Sequence, residues 1–178
     1  VNQTFETVED VTTTAADYAA WDDTYVYMET HDQAYIDSNY NDTTYINNHL
    51  NIIMLVDTSG KIAYADAYDL HNGTFIPIPE PFLTLSPDDL LLTPTRSEQS
   101  IEGLLVMGNR PLIVASQPIL TSNSEGPPHG ALITARFVDE DLITQIAKST
   151  QSSLEVACIA DPALAPHLQA ARDKLLAS

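Results

Sequence analysis

Ala19-Ala20-Trp21-Asp22-Asp23-Thr24-Tyr25-Val26-Tyr27-Met28 is the stretch from which the fold is read. It holds the only tryptophan, an adjacent pair of acids and two of the eight tyrosines. Upstream of it, residues 1–18 contain neither glycine nor proline. Val11, Tyr18 and Tyr25 recur every seven residues, and so do Thr14, Trp21 and Met28, which makes a stripe spaced three and four apart. Phe5, Val8, Ala15 and Ala19 widen that stripe. The pattern predicts one long helix over 1–30, packed on the rest of the chain by its C-terminal half and on a partner helix by its N-terminal half.

Downstream, residues 31–51 are polar, with Tyr35, Ile36, Tyr40, Tyr45, Ile46 and Leu50 as apolar anchors. Short helices at 33–38 and 42–47 fit this spacing, with the asparagines serving turns and caps. A hairpin follows. Ile52–Val56 is an unbroken apolar strand, Asp57-Thr58-Ser59-Gly60 is a turn, and Lys61–Tyr68 alternates. Strict alternation places Ile62 and Tyr64 on one face, opposite Ala63 and Ala65. Residues 69–97 carry Pro77, Pro79, Pro81, Pro87 and Pro94. These exclude regular strands and predict a lid over the sheet. Within it, Ser86-Pro87-Asp88-Asp89 looks like a serine-capped helix start. Three further strands are expected at 103–107, 110–120 and 130–138, the first two joined by a turn at Gly108-Asn109. Asp139-Glu140-Asp141 opens a helix to about Ser149, Ser153–Ile159 forms a further strand, and a last helix runs from Pro162 to Leu176. The fold class is α+β: a long N-terminal helix packed on a central antiparallel sheet of about five strands. The chain reads as one domain over 1–178, with the sheet at 51–138, the lid at 69–97 and a C-terminal helix-strand-helix at 139–178.

Hydrophobic residues make up 44% of the 178, enough for a sizeable core. The formal net charge is −18, from 25 acids against 7 Lys and Arg, and residues 1–60 hold 11 acids and no Lys or Arg. That balance excludes nucleic acid as a partner and disfavours docking on an anionic lipid face. Cys158 stands alone, so no internal disulfide forms, and its apolar neighbours suggest a buried small hydrophobe. Asn2, Asn41 and Asn72 each open a short glycosylation pattern. No apolar run reaches the roughly 20 residues of a bilayer span. The chain starts at Val1 without methionine and ends inside a helical pattern, so a longer parent is expected.

Catalytic patterns are missing. There is no Gly-x-Ser-x-Gly elbow and no phosphate-cradling glycine loop. The five histidines are scattered, and Asp37, Asn39, Asn41 and Asp42 lack the glycine and terminal glutamate of a calcium loop. Neither a cofactor nor a metal is expected. Asp22 and Asp23 point roughly 100° apart on a helix and do not form a carboxylate pair, so Asp22 is expected to bond loop backbone or a ligand. Arg110 and Arg136 are cations able to grip a carboxylate in two-pronged fashion or to pair with nearby acids. Trp21, Tyr25 and Tyr64 line either a small-ligand pocket or the core.

Three stretches taken in order carry a family resemblance. They are Trp21-Asp22-Asp23-Thr24-Tyr25, then Asn51-Ile52 with Asp57-x-x-Gly60-Lys61-Ile62-x-Tyr64, then Pro118-Ile119-Leu120 with Gly126-Pro127, Gly130 and Arg136. Over roughly 18–150 the chain resembles the fourth type of the CHASE domains, sensory domains of membrane histidine kinases and cyclases. The resemblance implies a PAS- and Cache-like sensor fold on the outer side of the cell membrane, between two transmembrane helices that lie outside this chain. It also implies an unidentified small-molecule ligand held between the sheet and its covering loops, and a homodimer made through the first helix. By position, the expected ligand-binding residues are Trp21, Asp22, Tyr25, Tyr64, Arg110 and Arg136. Besides sensing, a purely structural role in dimerisation or protein contact stays open at this point, as does an extracellular enzyme.

Overall fold

The computed structural model describes residues 2–107, 110–159 and 163–177, with side chains from residue 10 onward. The Gly108-Asn109 turn, the side chains of Phe5 and Val8, and Pro162 lie outside the described residues.

The first helix ends earlier than its stripe suggests. Helix α1 spans Asn2–Ala19 and α2 spans Asp22–Thr30. Trp21 between them is extended, at φ −86° and ψ 135°. The break is a matter of capping. Asp22 and Asp23 favour the positive end of a helix dipole, so they open a new helix rather than continue an old one. The carbonyls freed at the end of α1 find partners: the Thr24 hydroxyl donates to Tyr18 O at 2.7 Å, and Leu120 N donates to Ala19 O at 3.2 Å. The apolar stripe runs through the break because both helices face one core. The single helix to Thr30 is therefore corrected to two.

Helices α3 (Gln33–Asn39) and α4 (Asp42–Asn48) form where expected, capped by Asp32 and Asn41. Of the glycosylation patterns, Asn41 thus has its side chain engaged as a cap, while Asn72 is exposed. Strands β1 (Ile52–Val56) and β2 (Ile62–Asp69) make the hairpin. Its alternation is broken by a bulge: Leu55 pairs with Tyr64 and Val56 with Ile62, so Ala63 is left over. Ile62 therefore shares a face with Ala65, while Ala63 and Tyr64 pack on the other side, which corrects the strict alternation. A short strand β3 (Thr74–Ile76), absent from the sequence reading, pairs with β2 just before Pro77 ends it.

The lid holds α5 (Glu80–Leu83) and a 3-10 helix at Leu90–Thr95. Its cap is Asp89, which accepts from Leu91 N at 2.9 Å, and not Ser86. Pro94 lacks the N–H that an α-helix needs there, so the tighter 3-10 turn results. Strands β4 (Ile101–Met107), β5 (Arg110–Pro118) and β6 (Ala131–Phe137) follow, then α6 (Glu140–Thr150), capped by Asp139. Residues 153–159 are not a strand. Leu154, Val156 and Ile159 are exposed and Cys158 is half-buried, so both expectations for this segment are corrected. Helix α7 begins only at Pro166 and runs to Leu176.

The six strands form one antiparallel sheet in the order β3-β2-β1-β6-β5-β4. One face is covered by helices: Ile53, Leu55, Ile113 and Leu132 meet Val11, Ala15, Tyr27, Tyr40, Tyr45 and Leu142. The other is covered by the lid: Ile52, Met54, Val56, Leu112, Ile133 and Phe137 meet Phe82, Leu91 and Leu92. β1 is buried at all five positions because both faces are covered, which is why it reads as an unbroken apolar run. At the start of β1, Asn51 is 2% exposed and joins three strands. Its Nδ2 donates to Tyr68 O and its Oδ1 accepts from Phe137 N, each at 2.9 Å.

Candidate functional site

On the helix face, tyrosines build a continuous aromatic layer. Trp21 stacks on Tyr18 with centroids 4.3 Å apart, Tyr27 on Tyr35 at 5.0 Å and Tyr40 on Tyr64 at 5.3 Å. Their hydroxyls bond one another. Tyr35 meets Thr24 at 2.5 Å and Tyr40 at 3.0 Å, and Tyr45 meets Tyr64 at 3.3 Å. Burial pushes the phenols of Tyr40 and Tyr45 well up, and that of Tyr64 up to about 12, so all three are neutral hydrogen-bonding groups. The space left among Thr14, Tyr18, Tyr40, Leu50 and Leu132 admits no water-sized sphere. This face is packed core.

Asp66 on β2 stands beside this layer. Burial raises its pKa above the ordinary 3.8, partly offset by the hydrogen bond from Ala67 N. A raised carboxyl contributes stability that is present below its unfolded pKa and lost as pH rises through the folded one. Asp66→Asn keeps the neutral form at every pH. It is expected to raise the urea midpoint modestly at pH 7 and to leave it unchanged below pH 3.8. Equal midpoints at pH 7 would refute the burial penalty.

The six residues expected from sequence fall into separate places. Trp21, Asp22 and Tyr25 gather at the end of the sheet that carries residues 119–130. Asp22 Oδ1 accepts from Ser122 N at 2.8 Å, a loop-backbone bond that lowers its pKa, and Tyr25 stacks on His129 with centroids 3.5 Å apart. Tyr64 sits in the aromatic layer. Arg136 lies near the far end of β6, about 16 Å along the strand from Ala131, and faces α1. Burial lowers its pKa, and attraction to Asp139 and Asp10 works against that. Arg110 is exposed on the lid side, its guanidinium carbon 3.8 Å from the Phe137 ring centroid. Among the described residues, none of the six lines the clefts at the lid and at α7 or the space around Tyr40.

Among the described residues, clefts lie under the lid, and a further one of 320 Å³ lies between residues 155–159 and α7, away from the sheet. Phe82 is fully buried and has a cleft on each side. One cleft, of 340 Å³, is lined by Val56, Gly60, Lys61, Ile62, Phe82, Leu83 and Leu85. The other, of 240 Å³, is lined by Pro81, Phe82, Leu85, Asp89, Leu91, Leu105, Val106 and Met107. Small-molecule sites run from about 300 to 1,000 Å³, so the first is of usable size. The lid is held to the sheet by the Ser116 hydroxyl donating to Leu91 O at 2.7 Å, and within itself by Arg96 Nη1 donating to Pro87 O at 2.6 Å. The sequence did hold a signal for this site. Lys61 is the only Lys or Arg before Arg96, and it follows directly on the turn glycine.

A family model for the CHASE4 domain matches residues 5–157. The chain belongs to the CHASE4 family. A curated relative, the methanogenesis regulatory histidine kinase FilI of Methanothrix harundinacea (strain 6Ac), is 28% identical over 146 residues. That match covers 82% of this chain and 16% of that kinase's length, so the chain spans a small part of the relative it matches. Among solved structures, the extracellular domain of an assigned histidine kinase aligns with a TM-score of 0.51 at 19% identity, covering 80% of this chain and 52% of that one. A domain of an assigned sensory box/GGDEF-family protein from Vibrio parahaemolyticus aligns with a TM-score of 0.49 at 18% identity, covering 80% and 55%. The first shows that this CHASE4 domain shares its fold with that extracellular domain. Among the described residues no helix is long and apolar enough to cross a membrane.

Proposed function

We propose that this CHASE4 domain is the extracellular signal-sensing part of a membrane-bound sensor histidine kinase, that it binds a small ligand between lid and sheet, and that it relays occupancy through its helices. The segment itself is not catalytic in this reading. Flanking transmembrane helices anchor it, and it dimerises through α1. The observation that carries the reading is the lid with Phe82 wedged between two clefts over the back of β1. Alternate residues of that strand meet the lid and the helix-face core, and β1 pairs with β6, one of the two strands on which α1 lies, so a shift of Phe82 reaches α1 through that pair. A ligand preferring one lid position shifts the population of helix arrangements. Carrying the switch from mostly off to mostly on takes about 5 kcal/mol of differential binding.

A thermal-shift screen with small anions, amino acids and divalent cations tests this. A ligand at about 100 times its dissociation constant adds roughly 2.7 kcal/mol of stability. Phe82→Leu, which changes the wedge while keeping it apolar, is expected to abolish or retune that shift. A flat response to every compound would overturn sensing by direct binding and leave a dimerisation or protein-contact domain.

A further inference from the structure

The cleft beside the β1–β2 turn has one charged wall residue, Lys61, in a chain of net charge −18. The rest of the wall is apolar: Ile62, Phe82, Leu83 and Leu85 among others. Lys61 makes no ion pair within 4 Å among the described residues. The Lys61 ammonium attracts the Asp57 carboxylate, which is itself engaged inside the turn. Asp57 Oδ1 accepts from Ser59 N at 2.8 Å, Ser59 Oγ at 2.6 Å and Lys61 N at 3.0 Å. Gly60 opens the wall at this point, with φ at +86°.

Resting on the lid site proposed above, we propose that its ligand is a monoanion with a short aliphatic tail, a carboxylate whose head meets Lys61 and whose tail lies against Phe82, Leu83 and Leu85. An ammonium head would face the lysine, and a purely apolar molecule would leave the only charge at the cleft unused. The acidic surface repels anions generally, but charges farther off than about 8 Å are screened at physiological salt, so the local cation decides. One lysine, a point charge without the fork of an arginine, matches one negative charge better than a phosphate dianion. At 340 Å³ the cleft is at the small end of the range for ligand sites, so the tail is short.

The test is a methyl-NMR titration of the whole domain, labelled at isoleucine and leucine methyls, with hexanoate, 1-hexanol, hexylamine, hexyl phosphate and acetate at fixed salt. Hexanoate is expected to move the Ile62, Leu83 and Leu85 methyls saturably. Hexanol, hexylamine and acetate should bind about tenfold more weakly or worse, and Lys61→Gln should weaken hexanoate by about tenfold, which corresponds to roughly 1.4 kcal/mol. Lys61 is exposed, so the variant is expected to fold, and an unchanged amide spectrum verifies it. Hexanol or hexylamine binding as tightly on the same methyls, or an unaffected Lys61→Gln, would overturn the anionic head while the lid site stands. Tighter hexyl phosphate would overturn the monoanion, and acetate binding equally well would overturn the tail. If no probe moves these methyls, the ligand class and the lid site both fall.

Discussion

Gly130→Ala is expected to cost about 3–5 kcal/mol, a large share of the roughly 5–15 kcal/mol that holds a domain of this size together. Gly130 sits at φ +148°, where side chains are strained, and a Cβ there would lie 2.1 Å from Val56 O and 3.1 Å from Met28 Cε. The carbonyl belongs to β1, at the centre of the sheet, and it cannot retreat without opening the pairing of Val56 with Ala131. Gly130 O also accepts from Ile119 N at 3.0 Å, which fixes how the 119–130 segment enters β6. Urea unfolding of the two proteins side by side measures the loss. A midpoint shift worth less than about 0.5 kcal/mol, the range of an ordinary surface substitution, would show that the backbone does not make this approach.

The second large effect is expected at Asn51→Leu, a substitution that keeps the size of the side chain and removes its polarity. Tyr68 O loses the Nδ2 donor and Phe137 N loses the Oδ1 acceptor, and no water has room to replace either beside a residue 2% exposed. Leaving two buried backbone groups unpaired costs about 1–3 kcal/mol each, so a total of about 2–6 kcal/mol is expected. The signature distinguishing this from a simple packing defect is local. Amide exchange should accelerate at Phe137 and at neighbouring residues of β6 more than at the lid-side strand β4. Uniform acceleration across the sheet would argue against the stitch.

Much of the sheet was legible because its residues obey two-fold alternation or, in β1, two-sided burial. The Ile52–Asp69 hairpin, β5, β6 and the helices at 33–39, 42–48 and 140–150 follow from local pattern and caps. What local pattern missed was decided elsewhere. The break at Trp21 depends on Thr24 and Leu120 being at hand to satisfy the carbonyls of α1, and Leu120 is remote in sequence. The bulge at Ala63 is invisible to a count of alternating residues. Residues 153–159 have a strand's composition, but they pair with no strand of the sheet. For the candidate site, attention to aromatic side chains led to the helix face, where tyrosines are numerous because they pack and bond one another, and attention to arginines led to opposite faces of the sheet. The lid clefts are lined mainly by ordinary aliphatic residues, and only the isolation of Lys61 in an acidic chain marks them.

The solitary indole has a use that follows from its position. Trp21 rests on Tyr18 at the joint between α1 and α2, on the side of the sheet away from the lid. Its emission is therefore blind to a molecule that merely enters beneath Phe82. Any change in intensity or wavelength on titration would report that the joint itself has moved, so the domain carries an intrinsic optical gauge of transmission as distinct from occupancy.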